Sequence, residues 1–421
     1  MKKVFASIIT IGDELLIGQV IDTNSAWMAQ ELNKAGVWLR RRVAVGDVWE
    51  EIWNALDEES KQADIILITG GLGPTADDIT KPLLCEYFGG KMVVSPEALA
   101  NVKHIFERVL NRPMIERNLK QAEVPDVCTV INNKRGTAPG MWFEKEGKIF
   151  VSMPGVPHEM KGMMTEYVIP RLPQYFPMPA IVSKTLLTAG IGESYLADRI
   201  KDFEESLPSY IKLAYLPNYG MVRLRLTGTG ETTEAIGAEV QALFDTLKTQ
   251  VADVMVTDVD EPIETAVGKL LLARHKFMST AESCTGGYIA QLITSHPGSS
   301  GWYKGGVVSY ANEVKTSILN VSPDTLSTVG AVSEATVREM ITGVLAATDT
   351  DYAIAVSGIM GPGGGSPEKP VGMVWVAAGN RSTTIAQQFN FRFDRRRNIE
   401  LTATFGLNLL RKFILEQEPA V

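Results

Sequence analysis

Apolar runs alternate with amphipathic helical stretches through the first 170 or so residues, and this rhythm leaves the chain few folds to choose from. VFASIITIG, residues 4–12, is almost continuously apolar, while TNSAWMAQELNKAG, residues 23–36, has helical spacing and closes on Gly36. WLRRRVAVGD (38–47), VWEEIWNALDEESKQ (48–62) and DIILITGG (64–71) repeat the cycle. A strand that is apolar on both sides must be covered on both faces, so the segment predicts a parallel sheet between two helix layers. MWFEKEGKIFVSMPG (141–155) departs from the cycle and reads as a hairpin turning at Glu146-Gly147.

Prolines at 170, 173, 177 and 179 mark a boundary. A smaller α+β unit follows, with strand AIVSKTLLTAG (180–190), helix ESYLADRIKDF (193–203), strand MVRLRLTGTG (221–230) and helix TTEAIGAEVQALFDTLKTQV (232–251). After a second break near TDVDEPIE (257–264) the alternation resumes at Ile263, with strands KFMST (276–280), GGVVSY (305–310), DYAIAVSG (351–358) and GMVWVAAG (372–379) and a C-terminal helix. The fold class expected is α/β: two three-layer domains, 1–172 and 258–421, joined by a small α+β domain, 173–257. No internal repeat is visible.

With 45% hydrophobic and 21% charged residues, the chain has the make-up of a soluble globular protein. Its net charge of −8 argues against general polyanion binding. Cys85, Cys128 and Cys284 form neither a disulfide framework nor a metal spacing, which suits a reducing cytosol. MKKVFASIITIGDELL imitates a signal peptide, but the apolar run stops at Gly12-Asp13-Glu14 without a small-x-small cleavage site. A first strand and a cytoplasmic location are therefore expected. No apolar run approaches the roughly 18–20 residues of a membrane-spanning helix.

TAESCTGG, residues 280–287, sets three nucleophile candidates side by side, Ser283, Cys284 and Thr285, at a turn from strand KFMST into helix YIAQLITS (288–295). Amides at a helix start can hold an oxyanion or bind an anion, and Gly286 and Gly287 permit close approach. The plainer reading is an N-cap. For a base, His275 and His296 stand in no catalytic context, whereas Lys315, just past strand GGVVSY, could act as a neutral amine once buried. Lys304 is the alternative, read as a solvated loop residue. Cys284 competes with Ser283, but no histidine partners it and buried cysteines are common. SGIMGPGGGSPEKPVG (357–372) lies between strands, so it is no Walker loop; it reads as a flexible connection or a cradle for a phosphate or polar edge. In FDRRRNIE, Arg395, Arg396 and Arg397 offer a phosphate partner or a solvated face.

AESCTGG, GSSGWYKGGVVSYANEVK, GAVSE, SGIMGPGGGSPEKPVG and the pair DR recur in order and resemble the nicotinamide-mononucleotide deamidase domain of CinA proteins. The resemblance implies hydrolysis of the carboxamide of nicotinamide mononucleotide to nicotinate mononucleotide and ammonia, without a cofactor. It implies Ser283 as nucleophile, Lys315 as base and Tyr310 as an orienting or proton-relay group. It also implies substrate contacts from Thr285, Gly286, Gly287, Asn312, Ser357, Gly358, Gly364 and Arg395.

In TGGLGPTADDIT (69–80), glycines at the end of a strand precede a helix, an arrangement suited to phosphate. Asp77 and Asp78 offer hard oxygen ligands, and Asp13 and Glu14 end the first strand near the same crevice. Both acid pairs also read as ordinary helix-start residues. GDELLIGQVIDTNS, TGGLGPTADD, GTAPG and PGVPHEM resemble the N-terminal CinA domain, related to the MogA/MoaB molybdopterin-binding fold. That resemblance implies hydrolysis of ADP-ribose to AMP and ribose 5-phosphate with a divalent metal of the Mg or Co type, and a monovalent cation beside it. The implied ligands are Asp78, Asp13, Asp77 and Glu14; the implied substrate contacts are Gly70, Gly71, Gly73, Thr75 and Asn24. Nucleotide or molybdopterin binding without hydrolysis, in a competence- or damage-inducible protein, is the alternative. The middle unit looks like the KH-type domain of full-length CinA proteins, but AGIGES supplies neither the GXXG spacing nor the charge for nucleic acid. It is read as a structural or dimerisation module in a homodimer with no nucleic-acid or membrane partner.

Overall fold

A computed structural model describes residues 3–75, 78–109, 111–113, 115–218 and 220–418; Asp77 lies outside the described residues. Packing divides the chain into two compact units, Met1–Val182 with Gly228–Gly237, and Ser183–Thr227 with Ala238–Val421.

In the first unit, β1 (Val4–Ile11), β2 (Val37–Val45) and β3 (Ile65–Thr69) are parallel neighbours. β4 (Met92–Val94) and β5 (Glu123–Pro125) pair as a separate antiparallel ribbon. β6 (Thr129–Ile131), β7 (Gly140–Lys145) and β8 (Lys148–Met153) complete a six-stranded sheet in the order β2-β1-β3-β8-β7-β6. β2, β1, β3 and β8 are parallel neighbours as expected, β7 pairs antiparallel with β8 as the expected hairpin, and β6 pairs antiparallel with β7. The β7–β8 hairpin turns on Glu146 (φ 54°) and Gly147 (φ 74°), two successive left-handed residues whose twist matches that of the strands. Apolar residues on both faces explain the continuous runs. Ala6, Ile8, Leu67 and Val151 pack with Met28, Leu32 and Met160 on one side, and Ile9, Ile66, Ile68 and Phe150 with Ile52, Leu56 and Leu84 on the other.

β9 (Ala180–Ala189), β10 (Ile211–Asn218), β11 (Met221–Gly230) and β12 (Met255–Thr257) form the small sheet, ordered β10-β11-β9-β12. The sequence pattern showed its two central strands and neither edge. β10 is mostly exposed beyond Ile211 and β12 has three residues, so neither carries an apolar run.

The C-terminal sheet contains β13 (Met278–Glu282), β14 (Tyr303–Val308), β15 (Tyr352–Gly358), β16 (Met373–Asn380) and β17 (Thr384–Asn390), ordered β14-β13-β15-β16-β17. The first three are parallel and the last two antiparallel. β17 is an unanticipated edge strand, with Gln387 and Gln388 exposed. Leu187, Ala189 and Met221 of the small sheet share one core cluster with Val267, Leu271, Leu407 and Phe413, so within this unit the small sheet completes the C-terminal domain's core. All three cysteines are free thiols. Among the described residues no helix is long and apolar enough to cross a membrane.

Candidate active site and N-terminal crevice

The order of the C-terminal sheet reverses at β13, with β14 on one side and β15 on the other. Open α/β sheets hold ligands at the carboxyl ends of strands around such a reversal. Ser283 follows β13, the segment from Ser309 to Lys315 follows β14, and the glycine loop follows β15. Ser283 N–H donates to Val356 O at 3.0 Å, tying the turn to β15.

Lys315, on the helix Asn312–Ser317, is almost wholly buried, and its Nζ lies 3.0 Å from Ser283 Oγ. The same nitrogen donates to Ser309 O at 2.6 Å and to Tyr310 O at 3.5 Å. Burial holds its pKa below the ordinary lysine value, because no carboxylate offsets the lost hydration. Both groups open on a cavity of about 270 Å³, lined also by Cys284, Tyr310, Asn312 and Arg395. Burial pushes the Cys284 thiol up to about 12, so it stays protonated near neutral pH. Neither His275 nor His296 lines the cavity; His296 meets Glu264 at 3.0 Å. Lys304 is no loop residue: it belongs to β14, and its ammonium donates to Asp349 O.

The helix-start amides are not open to an anion, contrary to expectation. Gly287, Ile289 and Ala290 N–H all donate to the carboxylate of Glu282, as does the Thr285 hydroxyl. The glycines answer to backbone shape, Gly287 capping the helix Tyr288–Thr294 at φ 96°. Thr285, Gly286 and Gly287 line an adjoining cavity of about 560 Å³ that shares Arg395 with the first. Arg395 bridges the loops, donating through Nη1 to Gly361 O at 2.8 Å and through Nη2 to Tyr310 Oη at 3.0 Å. Ser357 lines the cavity but spends its hydroxyl on Ala331 O at 2.7 Å. Of the glycines of this loop, Gly358, Gly361 and Gly363 line the cavity beside Ile359 and Met360, and Gly364 does not.

Sequence pattern missed the residues that hold this loop. Lys369 donates to Val329 O and Val332 O at 2.6 and 2.8 Å, and buried Asn398 donates to Met360 O at 3.1 Å. Asn398 follows three arginines at the start of helix Arg395–Gln417, so nothing local marked it as buried.

The first unit has a corresponding crevice of about 460 Å³ at the carboxyl ends of its parallel strands, walled by Gly12, Glu14, Asp47, Gly70, Asp78 and Glu159 among others. Gly70 is required there: a Cβ would sit 2.2 Å from Ile11 O, and φ is 116°. Asp78 Oδ1 accepts from Gly73 N–H at 2.8 Å, while Oδ2 accepts from Thr75 N–H at 2.8 Å and from the Thr75 hydroxyl. Gly71 and Gly73 line the crevice; Thr75, Asn24 and Asp13 act behind it. Asn24 donates to Gly155 O at 2.7 Å, and Asp13 exchanges hydrogen bonds with Asp47 at 3.2 and 3.3 Å. Glu159 was not anticipated; burial raises its carboxyl pKa although Asn133 donates to it at 2.6 Å. Among the described residues no three histidine, cysteine or carboxylate side chains gather into a metal cage. The crevice instead offers the separate carboxylates of Glu14, Asp47, Asp78 and Glu159, hard oxygen donors of the kind a divalent cation takes together with water.

Residues 260–414 match the family model of the CinA C-terminal domain, 7–174 that of a probable molybdopterin binding domain, and 183–256 that of the damage-inducible protein CinA KH domain. A CinA-like protein of Cytophaga hutchinsonii is 43% identical over 98% of this chain and 99% of its own length. A CinA-like protein of Flavobacterium psychrophilum is 42% identical over 98% and 99%. A solved structure of a CinA superfamily protein from Klebsiella pneumoniae is 36% identical, covering 37% of this chain and 96% of that one, with a TM-score of 0.36. With likeness to these relatives running over nearly its whole length, the chain belongs to the CinA family.

Proposed function

We propose that the C-terminal domain is an amidase acting through Ser283 and Lys315, with nicotinamide mononucleotide as substrate. The observation carrying this reading is the 3.0 Å contact between a nearly buried lysine amine and a serine hydroxyl on the wall of a cavity. In its neutral form Lys315 takes the Ser283 proton as Oγ attacks the carboxamide carbon. The resulting ammonium returns that proton to the departing nitrogen, which leaves as ammonia. Water then attacks the acyl carbon as Lys315 takes its proton, and that proton passes to Ser283 Oγ as it leaves, which frees the acid and restores the pair. Ser309 O and Tyr310 O keep the amine aimed through both half-reactions. Arg395 supplies positive charge on the cavity wall for the mononucleotide phosphate.

Ammonia release from nicotinamide mononucleotide tests the reading. Ser283→Ala should lose about 10³-fold or more in kcat, while Cys284→Ala keeps most of it. A dead cysteine variant beside an active serine variant would reverse the assignment.

For the N-terminal crevice we propose ADP-ribose as ligand and substrate, its diphosphate lying along the glycine loop that Asp78 shapes. A divalent ion held there by Glu14 and Asp78 would supply a Lewis acid for the diphosphate and a more acidic water. The protein's own part is to hold the shape of the glycine loop through Asp78 and to fix the crevice wall through Asn24 and Asp13.

A further inference from the structure

Glu282 closes β13, one residue before Ser283, and only 1% of it is exposed. Its carboxylate accepts four hydrogen bonds. Oε2 takes them from Thr285 Oγ1 at 2.7 Å, Gly287 N–H at 3.1 Å and Ile289 N–H at 3.0 Å, and Oε1 from Ala290 N–H at 2.8 Å. A helix is ordinarily capped by the side chain at its own N-cap. Here that position is Gly287, which has no side chain, so the donors are served from five to eight residues upstream. The hydrogen bonds therefore close a ring around residues 283–290, and Ser283 N–H reaches outside that ring to Val356 O at 3.0 Å.

We propose that Glu282 is a positioning residue for the amidase reaction. Its charge draws the amides of the turn inward and fixes the backbone from which Ser283 Oγ reaches Lys315. The proposal rests on the Ser283–Lys315 reading. Three features favour it over an ordinary core contact: the carboxylate is buried with no salt bridge among the described residues, its partners named above all lie in the turn or the following helix, and the nucleophile sits inside the ring they close. A carboxamide cannot replace it, because an amide has one acceptor oxygen and its NH₂ would face donors. Aspartate keeps the charge but is one methylene too short to reach all four.

Two readouts test this on the full-length protein. One is kcat and KM for ammonia release from nicotinamide mononucleotide across pH. The other is the rate at which a fluorophosphonate labels Ser283, which needs no substrate. Glu282→Gln should lower kcat and the labelling rate together by about 100-fold, the scale of a misplacement near 1 Å, with KM changed less than about 3-fold. The midpoint of the pH–rate curve should stay put, since burial and not Glu282 perturbs Lys315. Glu282→Asp should be damaged less than Glu282→Gln, and it decides the matter if the glutamine variant does not fold. Unchanged labelling in a folded Gln or Asp variant overturns the proposal, and so does a shifted pH midpoint at unchanged plateau. Wild-type protein that labels at Ser283 but leaves the mononucleotide intact refutes the substrate, not the positioning role.

Discussion

Arg395 donates through Nη2 to the hydroxyl of Tyr310 at 3.0 Å, joining two residues 85 positions apart. The tyrosine side chain, largely exposed, is thus engaged by an arginine of the cavity wall, while its backbone carbonyl accepts from Lys315. This favours orientation over proton relay among the roles expected for Tyr310. Tyr310→Phe removes the hydroxyl and keeps the carbonyl. We expect KM for nicotinamide mononucleotide to rise about 5-fold and kcat to fall less than about 3-fold, the pattern of lost uniform binding. A kcat loss near 100-fold with KM unchanged would restore the relay.

If Lys315 is the base of the proposed deamidation, it should give that reaction its pH dependence. The base must be neutral, and burial has lowered its pKa, so kcat should rise with pH through that lowered value and level off above it. Lys315→Arg keeps a cation but supplies no neutral amine, so its kcat should fall roughly 10³-fold, as with Lys315→Ala. Stability carries the same sign. Between the lowered folded value and the unfolded value of 10.5, the unfolded chain binds the proton that the folded one has released, so stability rises with pH across that window. It is lost again as pH falls through the folded value. Urea titrations of wild type and Lys315→Met over this range would show the slope in the former only.

Asp78 should matter to one reaction and not the other. Asp78→Asn turns an acceptor of three loop hydrogen bonds into a partial donor. We expect ADP-ribose hydrolysis to fall at least about 100-fold, with deamidation of nicotinamide mononucleotide within about 2-fold of wild type. A chelator should stop the first reaction and spare the second. Deamidation lost on chelation in protein that keeps its circular dichroism would sink the two-site reading.

A fragment beginning at Asp260 contains β13 to β17 and both members of the pair, and should deamidate. It lacks Leu187, Ala189 and Met221, which complete its core cluster in the full chain. Losing about 3 kcal/mol of burial should lower its Tm by roughly 5–15 °C against the C-terminal transition of the intact protein. A fragment that melts at the intact protein's temperature would show that these contacts are dispensable.

Local pattern was enough for the central strands. β1, β3 and β15 are buried on both sides, so the apolar run is itself the record of their burial, whereas β13 is buried along its length although Ser279, Thr280 and Glu282 are polar. It was enough for the β7–β8 hairpin, because Glu146-Gly147 announces a turn within a few residues. The edge strands β10 and β17 escaped: they present polar residues to solvent, and their partners are set by strands elsewhere in the chain. The reagents of the candidate site, Ser283 and Lys315, are likewise visible as residue types beside strand ends. Their environment is not. That Lys315 is buried against Ser309 O, that Tyr310 answers to Arg395, and that Glu282 takes the amides once expected for an oxyanion all depend on β13, β14 and β15 lying side by side. Residues up to 85 positions apart meet there because the sheet brings loop ends together, and a linear pattern holds no term for that proximity. In the first unit the same holds for Glu159, a mid-sequence acid whose raised pKa arises from burial that only the folded crevice creates.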